Sequence, residues 1–218
     1  MMAPDYFRID GEHPDPHILR KAVERLNRPG VILHATETVY GLAARWDNEA
    51  ALQKVSHIKR RPPEQPYSIM IDDSEAALAL SGWNSMELRR LLEALFPAPL
   101  TLLLPRKRPL EPGFWNQFPE IGFRMPDHTL SRELVRQAGA PLITTSANLS
   151  GETPPASMEE VNREILSGVD CALDSGACPL KTPSTVVKVD LENRTYAIVR
   201  PGAFPEQNLE EIINSVWK

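Results

Sequence analysis

The residue best placed to do chemistry is Lys59. It follows Val55 by four positions and Leu52 by seven, so on a helix it lies along the apolar stripe and not on the solvent face. A lysine there must snorkel outward or meet an anion. Arg60 and Arg61 come next, and Pro62, Pro63 and Pro66 stiffen the chain behind them. Two readings stand for these cations: they complement the negative end of a helix, worth about 0.3–1 kcal/mol, or they build a fixed anion site around planar guanidinium groups. A second candidate is TTSANLSG (144–151), a run of short hydrogen-bonding side chains just past an apolar stretch. It is either turn chemistry or a ligand loop, since open α/β sheets gather ligands at strand ends. Arg124 alternates with Ile121, Phe123 and Met125, so on a strand it faces away from them, toward solvent or a ligand. Arg200 closes the last apolar stretch before Pro201-Gly202 and says little alone.

Several chemistries are excluded. Neither G-x-x-x-x-G-K-[ST] nor G-x-G-x-x-G occurs, so no standard phosphate loop is present. The histidines at 13, 17, 34, 57 and 128 form no H-x-x-x-H on a plausible helix, because prolines at 14 and 16 separate the first two. No protein-ligated metal is therefore expected. There is no G-x-S-x-G elbow. Cys171 and Cys178 are the only cysteines and suit neither a disulfide scaffold nor a zinc ribbon; two reduced thiols are expected. Lys plus Arg total 24 against 29 Asp plus Glu, a net charge of -5, which argues against a broad basic footprint for nucleic acid. No apolar run approaches the roughly 18 residues of a membrane span. The first residues, MMAPDYFRIDGEHPDPH, lack the basic start and apolar middle of a signal peptide, and a cytoplasmic location is expected.

The elements that must position these residues follow from capping and periodicity. At 218 residues, with 42% hydrophobic and 24% charged residues, the chain suits one globular domain, 1–218. Asp15 and Pro16 read as N-cap and first residue of a helix that runs to Pro29-Gly30. A strand at 31–35 and a loop at 36–42 come next. Asn48 caps a helix stopped by the prolines at 62 and 63. Further on, the pattern predicts a strand at 67–71, helices at 74–80 and 84–96, the second opening with an Asn84-x-x-Glu87 box, and strands at 101–104 and 121–125. Asp127 caps a helix to Gly139, a strand covers 141–145, and a Ser157-x-x-Glu160 box opens a helix to Leu166. A strand at 169–173, a hairpin pairing 184–189 with 195–199 and a helix at 209–217 complete the chain. Most of the 21 prolines fall between these elements. Interleaved strands and helices with uneven crossovers predict an α/β fold, with a mixed parallel and antiparallel sheet flanked by helices, not a regular Rossmann or barrel repeat.

Together the blocks GVILHATETVYGL (30–42), KRRP (59–62), FPAPLT (96–101), GFRMP (122–126), SANLSG (146–151), PSTVV (183–187) and VRPG (199–202) are familiar. In this order the chain resembles the YrdC-like threonylcarbamoyl-AMP synthase family, with its K-x-R (Lys59, Arg61) and S-x-N (Ser146, Asn148) elements intact. It departs from the family at Ala35, where proline is usual, and at Ala98, where glycine is usual. Tyr67-Ser-Ile-Met70 stands where many relatives have Pro-Leu followed by an aliphatic run or a histidine.

The resemblance implies a twisted YrdC-like sheet with a concave cavity, in the short single-domain form, the motifs lying within about 30–203. It implies joining of L-threonine, bicarbonate or CO2, and ATP into threonylcarbamoyl-AMP and pyrophosphate, for threonylcarbamoyladenosine modification of tRNA by a downstream transferase complex. Lys59 and Arg61 are the implied catalytic and phosphate-binding cations, and Ser146, Asn148 and Arg200 the other nucleotide contacts. Thr36, Thr38, Thr101, Ser184 and Arg124 are implied for the threonine pocket. Magnesium would arrive with ATP, held by phosphates and water. Two alternatives remain open: a non-catalytic binder of structured RNA, and a paralogous nucleotide-binding member of the fold with another substrate.

Overall fold

Local capping sets the register of the helices. The carboxylate of Asp15 accepts the His17 N–H and Pro16 fills the first turn of α1 (Pro16–Leu26), a donor-free residue where no donor is needed. The side chain of Asn48 caps α2 (Glu49–Lys59) through the Ala51 N–H, 3.1 Å away. That helix stops at Arg60, whose φ of 49 is left-handed and turns Arg61 off the helix axis. Pro63, expected to help end it, lies outside the residues described by this computed structural model, which are 3–62 and 65–218.

The remaining elements are β1 (Asp5–Arg8), β2 (Ile32–His34), β3 (Gly41–Arg45), β4 (Ser68–Met70), α3 (Ser74–Ser81), α4 (Met86–Leu95), β5 (Leu100–Pro105), β6 (Glu120–Arg124), α5 (Thr129–Ala138), β7 (Leu142–Ser146), α6 (Arg163–Gly168), β8 (Cys171–Asp174), β9 (Thr185–Asp190), β10 (Thr195–Arg200) and α7 (Glu206–Trp217). Three expected caps are corrected. Ser85, not Asn84, accepts at the start of α4. His128, not Asp127, is the N-cap of α5, without a side-chain cap bond. The expected 157–166 helix splits into a 3-10 turn, Met158–Glu160, and α6, which Asn162 caps. Two strands, β1 and β3, are additional to those expected.

The strands form one sheet in the order β1-β8-β2-β3-β7-β4-β6-β5-β9-β10. The β4/β6 and β5/β9 pairs are parallel, while β3/β7, β4/β7 and β5/β6 are antiparallel, which is the mixed arrangement expected. Alternation divides the sheet's two faces. One face buries Ile69, Ile121, Phe123, Leu102, Val187 and Val189 with apolar residues of α2, α4 and α7. The other buries Ile32, Ala43, Leu142 and Met70 with Leu19, Ala22 and Leu26 of α1 and Leu130, Leu134 and Ala138 of α5. Helices α1 and α5 thus cover this second face beside β2, β3 and β7. Where the face continues onto β4, β6, β5 and β9 its side chains change from apolar to polar, and a cavity opens there. Cys171 and Cys178 are free and buried. Among the described residues no helix is long and apolar enough to cross a membrane.

Candidate active site

The floor of the cavity is that second sheet face. Register aligns Thr144 of β7 with Ser68 of β4, Ser68 with Gly122 of β6, and Gly122 with Leu103 of β5. Stepping by two along each strand adds Ser146, Glu120, Arg124 and Thr101, and Thr101 pairs with Val186 of β9, which pairs in turn with Arg200 of β10. All of these line one cavity of about 480 Å³, a size that takes a small ligand. Gly122 keeps the floor deep, because a Cβ there would lie 3.1 Å from Ser68 Oγ and 3.2 Å from Thr101 Cγ2.

Seven of the ten expected site residues face this cavity: Thr36, Arg61, Thr101, Arg124, Ser146, Ser184 and Arg200. Lys59, Thr38 and Asn148 stand behind its wall. Lys59 is 3% exposed, and its ammonium donates to the carbonyls of Ser146 and Asn148, the latter at 2.7 Å. The Ser150 N–H returns a bond to the Lys59 carbonyl at 3.0 Å. The K-x-R and S-x-N elements are therefore bolted together, with Arg61 and Ser146 on the cavity side. Burial, and then the neighbouring Arg61, push the Lys59 pKa down to about 8. The Asn148 amide donates to the carbonyls of Leu149 and Glu152, each at 2.8 Å, and closes its own loop. Its Oδ1 is buried without a hydrogen-bond partner among the described residues.

Thr36 Oγ1 accepts from the N–H groups of Thr38 and Val39, at 3.1 and 3.2 Å, and winds the 36–40 segment into a tight turn. Arg124 grips that turn: its guanidinium donates to Thr38 Oγ1 at 2.6 Å and to Glu37 Oε1 at 2.9 Å. The Arg124 and Glu37 side chains are only 9% and 7% exposed, so this is a buried ion pair. Opposite, Thr101 of β5 and Ser184, just before β9, share a hydrogen bond of 2.9 Å, and Arg200 donates to the Ser184 carbonyl at 2.7 Å. Gly202 permits this approach, since a Cβ on it would fall 2.4 Å from the Pro183 carbonyl oxygen.

Arg61 donates to Thr145 Oγ1 at 3.1 Å. Burial lowers the pKa of both Arg61 and Arg200, yet a guanidinium remains charged. Among the described residues, Arg124 has a carboxylate partner and neither Arg61 nor Arg200 forms a salt bridge. Residues not expected as site residues also shape the site: Glu120, together with Glu37, Tyr67, Ser68 and Gly122, which the sequence marks only as parts of motif blocks or of the Tyr67–Met70 departure. The alternation that placed Arg124 on the polar face also places Glu120 and Gly122 there. Nothing local marks Glu37 as an ion-pair partner.

Fold and cavity define a mixed-sheet α/β protein with one concave, cationic and hydroxyl-lined face. The Sua5/YciO/YrdC family, described as "Telomere recombination", matches residues 24–202, and the chain belongs to it. A protein of Methanocaldococcus jannaschii is 34% identical over 179 residues, 82% of this chain and 83% of its own. The threonylcarbamoyl-AMP synthase of Bacillus subtilis is 32% identical over 203 residues, 93% of this chain and 58% of its own. The structure of P. abyssi Sua5 complexed with L-threonine is similar with a TM-score of 0.86 at 27% identity, covering 95% of this chain and 60% of that one. This chain thus spans less than two thirds of the last two proteins.

Proposed function

We propose that the chain is an L-threonylcarbamoyladenylate synthase, making threonylcarbamoyl-AMP and pyrophosphate from L-threonine, bicarbonate or CO2, and Mg-ATP. One observation carries this reading: Arg61 and Arg200, with no salt bridge among the described residues, share a cavity with Thr36, Thr101, Ser184 and Ser146. Such a surface suits a polyanion together with a small hydroxylated zwitterion. The names of the relatives reported above support the same activity.

In this reaction the threonine amine takes up CO2 and loses a proton to become a carbamate. A carbamate oxygen then bonds to the α-phosphorus as the bond to the pyrophosphate oxygen breaks. No covalent bond to the protein forms, so positioning and charge neutralisation do the catalytic work. Arg61 and Arg200 hold the phosphates and the charge that builds on the departing pyrophosphate. Ser146 binds the nucleotide, and Lys59 and Asn148 act by fixing the loop that carries it. Thr36, Thr101 and Ser184 hold threonine, while Arg124 and Thr38 set the turn bearing Thr36. Magnesium enters with ATP as part of the substrate, carried by phosphate and water oxygens. The product leaves for a tRNA-modifying transferase.

The test is to incubate the protein with Mg-ATP, bicarbonate and each amino acid in turn, and to identify the adenylate by mass. Threonine alone among them should give it. Equal product from several amino acids, or none from threonine, would overturn the reading.

A further inference from the structure

Arg61 is held in an unusual way for a cation at an anion site. Its guanidinium carbon lies over the Tyr67 ring, 4.8 Å from the centroid, and its nitrogens donate to the Thr145 hydroxyl and the Pro66 carbonyl. All three partners are uncharged. The ring is itself anchored. Tyr67 is 3% exposed, its hydroxyl shares a 2.6 Å hydrogen bond with Ser56 Oγ on α2, and its ring stacks on Phe114 at 6.0 Å and 22°. Phe114 meets Trp115 edge-on at 5.2 Å, and the Trp115 indole donates to the Trp46 carbonyl at 3.0 Å. A chain of packed rings therefore runs from the protein interior to the face of Arg61.

We propose that Tyr67 is a positioning residue that aims the Arg61 guanidinium into the cavity without neutralising it, so that its charge is kept for the phosphates of ATP. A carboxylate in the same place would orient the group but cancel its charge. An aromatic face attracts a cation through the ring quadrupole and leaves the net charge unchanged. The ring is already engaged by Arg61 and Phe114, which makes it a backing for the cation and not a platform for the adenine base. This inference rests on the synthase reading for the identity of the anion.

The test is a double-mutant cycle on the full chain with Arg61→Met, Tyr67→Leu and the pair, read as the Kd for Mg-ATP by calorimetry and as KM and kcat for pyrophosphate release. Tyr67→Leu should raise Kd and KM for ATP by about 5–20-fold, leave KM for threonine within about twofold, and have no further effect on ATP affinity in the Arg61→Met background. Tyr67→Phe, which keeps the ring, should recover most of the affinity. Additive losses in the cycle, or equal losses from the Phe and Leu variants, would overturn the proposal. If the wild type binds Mg-ATP but releases no pyrophosphate with threonine and bicarbonate, the synthase reading fails and the coupling is still decided on binding alone.

Discussion

Lys59 and Asn148 are joined by a 2.7 Å hydrogen bond from the ammonium to the main-chain carbonyl, so the lysine of the K-x-R element spends two of its three donors on the carbonyls of Ser146 and Asn148. It ties the end of α2 to the end of β7 and the loop that follows. The two effects of its charge oppose each other. Burying the ammonium is costly, and removing it would leave two carbonyls short of a donor, each worth about 1–3 kcal/mol.

For Lys59→Met, these terms should offset. The apo protein is expected to keep its unfolding free energy within about 1 kcal/mol, while amide exchange quickens across 146–152 and Mg-ATP binds about tenfold more weakly. Unchanged exchange together with unchanged ATP affinity would refute the clamp.

The same lysine has a pH signature. Its folded pKa is about 8 against a reference of 10.5, so between these values the unfolded chain binds more protons than the folded one. Stability from this group therefore rises as pH increases through that window, because the penalty for burying the charge disappears. Wild type should gain stability relative to Lys59→Met between pH 8 and 10.5, measured by urea unfolding. A constant difference would contradict the placement.

Arg124 and Glu37 are predicted to behave as a unit. Arg124→Met strands a buried carboxylate and should cost about 3 kcal/mol or more. Adding Glu37→Gln should return much of that loss, since no net charge is then left buried. Urea midpoints for the two single variants and the double decide it, and additive losses would show that the pair is not coupled.

Ser146 and Asn148 should separate. Ser146 faces the cavity, so Ser146→Ala should weaken Mg-ATP binding by about 1–2 kcal/mol with little change in melting temperature. Asn148 closes its own loop through Leu149 and Glu152, so Asn148→Ala should lower the melting temperature of the apo protein. The opposite pattern would reverse their roles.

How far these residues were legible follows from the range of the physics that places them. Helical spacing put Lys59 on the buried face of α2, and strand alternation put Arg124 opposite the apolar set, because both depend on neighbours within a few positions. Spacing cannot name the partner of Lys59, which lies 87 residues away in β7. It likewise cannot reveal that Glu37 lies inside the grip of Arg124. Strand β3 escaped for a related reason: GLAAR is small and buried between β2 and β7, so it shows no alternation. Strand β1, four residues with a mixed pattern, is defined by its pairing with β8. Ser85 displaced Asn84 as a cap because adjacent polar residues compete for one position, and only the backbone path decides between them.

The central claim is that one cavity joins threonine, inorganic carbon and ATP. Its most direct test follows carbon from 13C-bicarbonate into the adenylate while pyrophosphate is counted, with threonine, bicarbonate or ATP omitted in turn. The account predicts one labelled carbon per pyrophosphate released, and none of either product when any substrate is missing. Pyrophosphate released at the same rate without threonine, or an adenylate formed without the label, would contradict it.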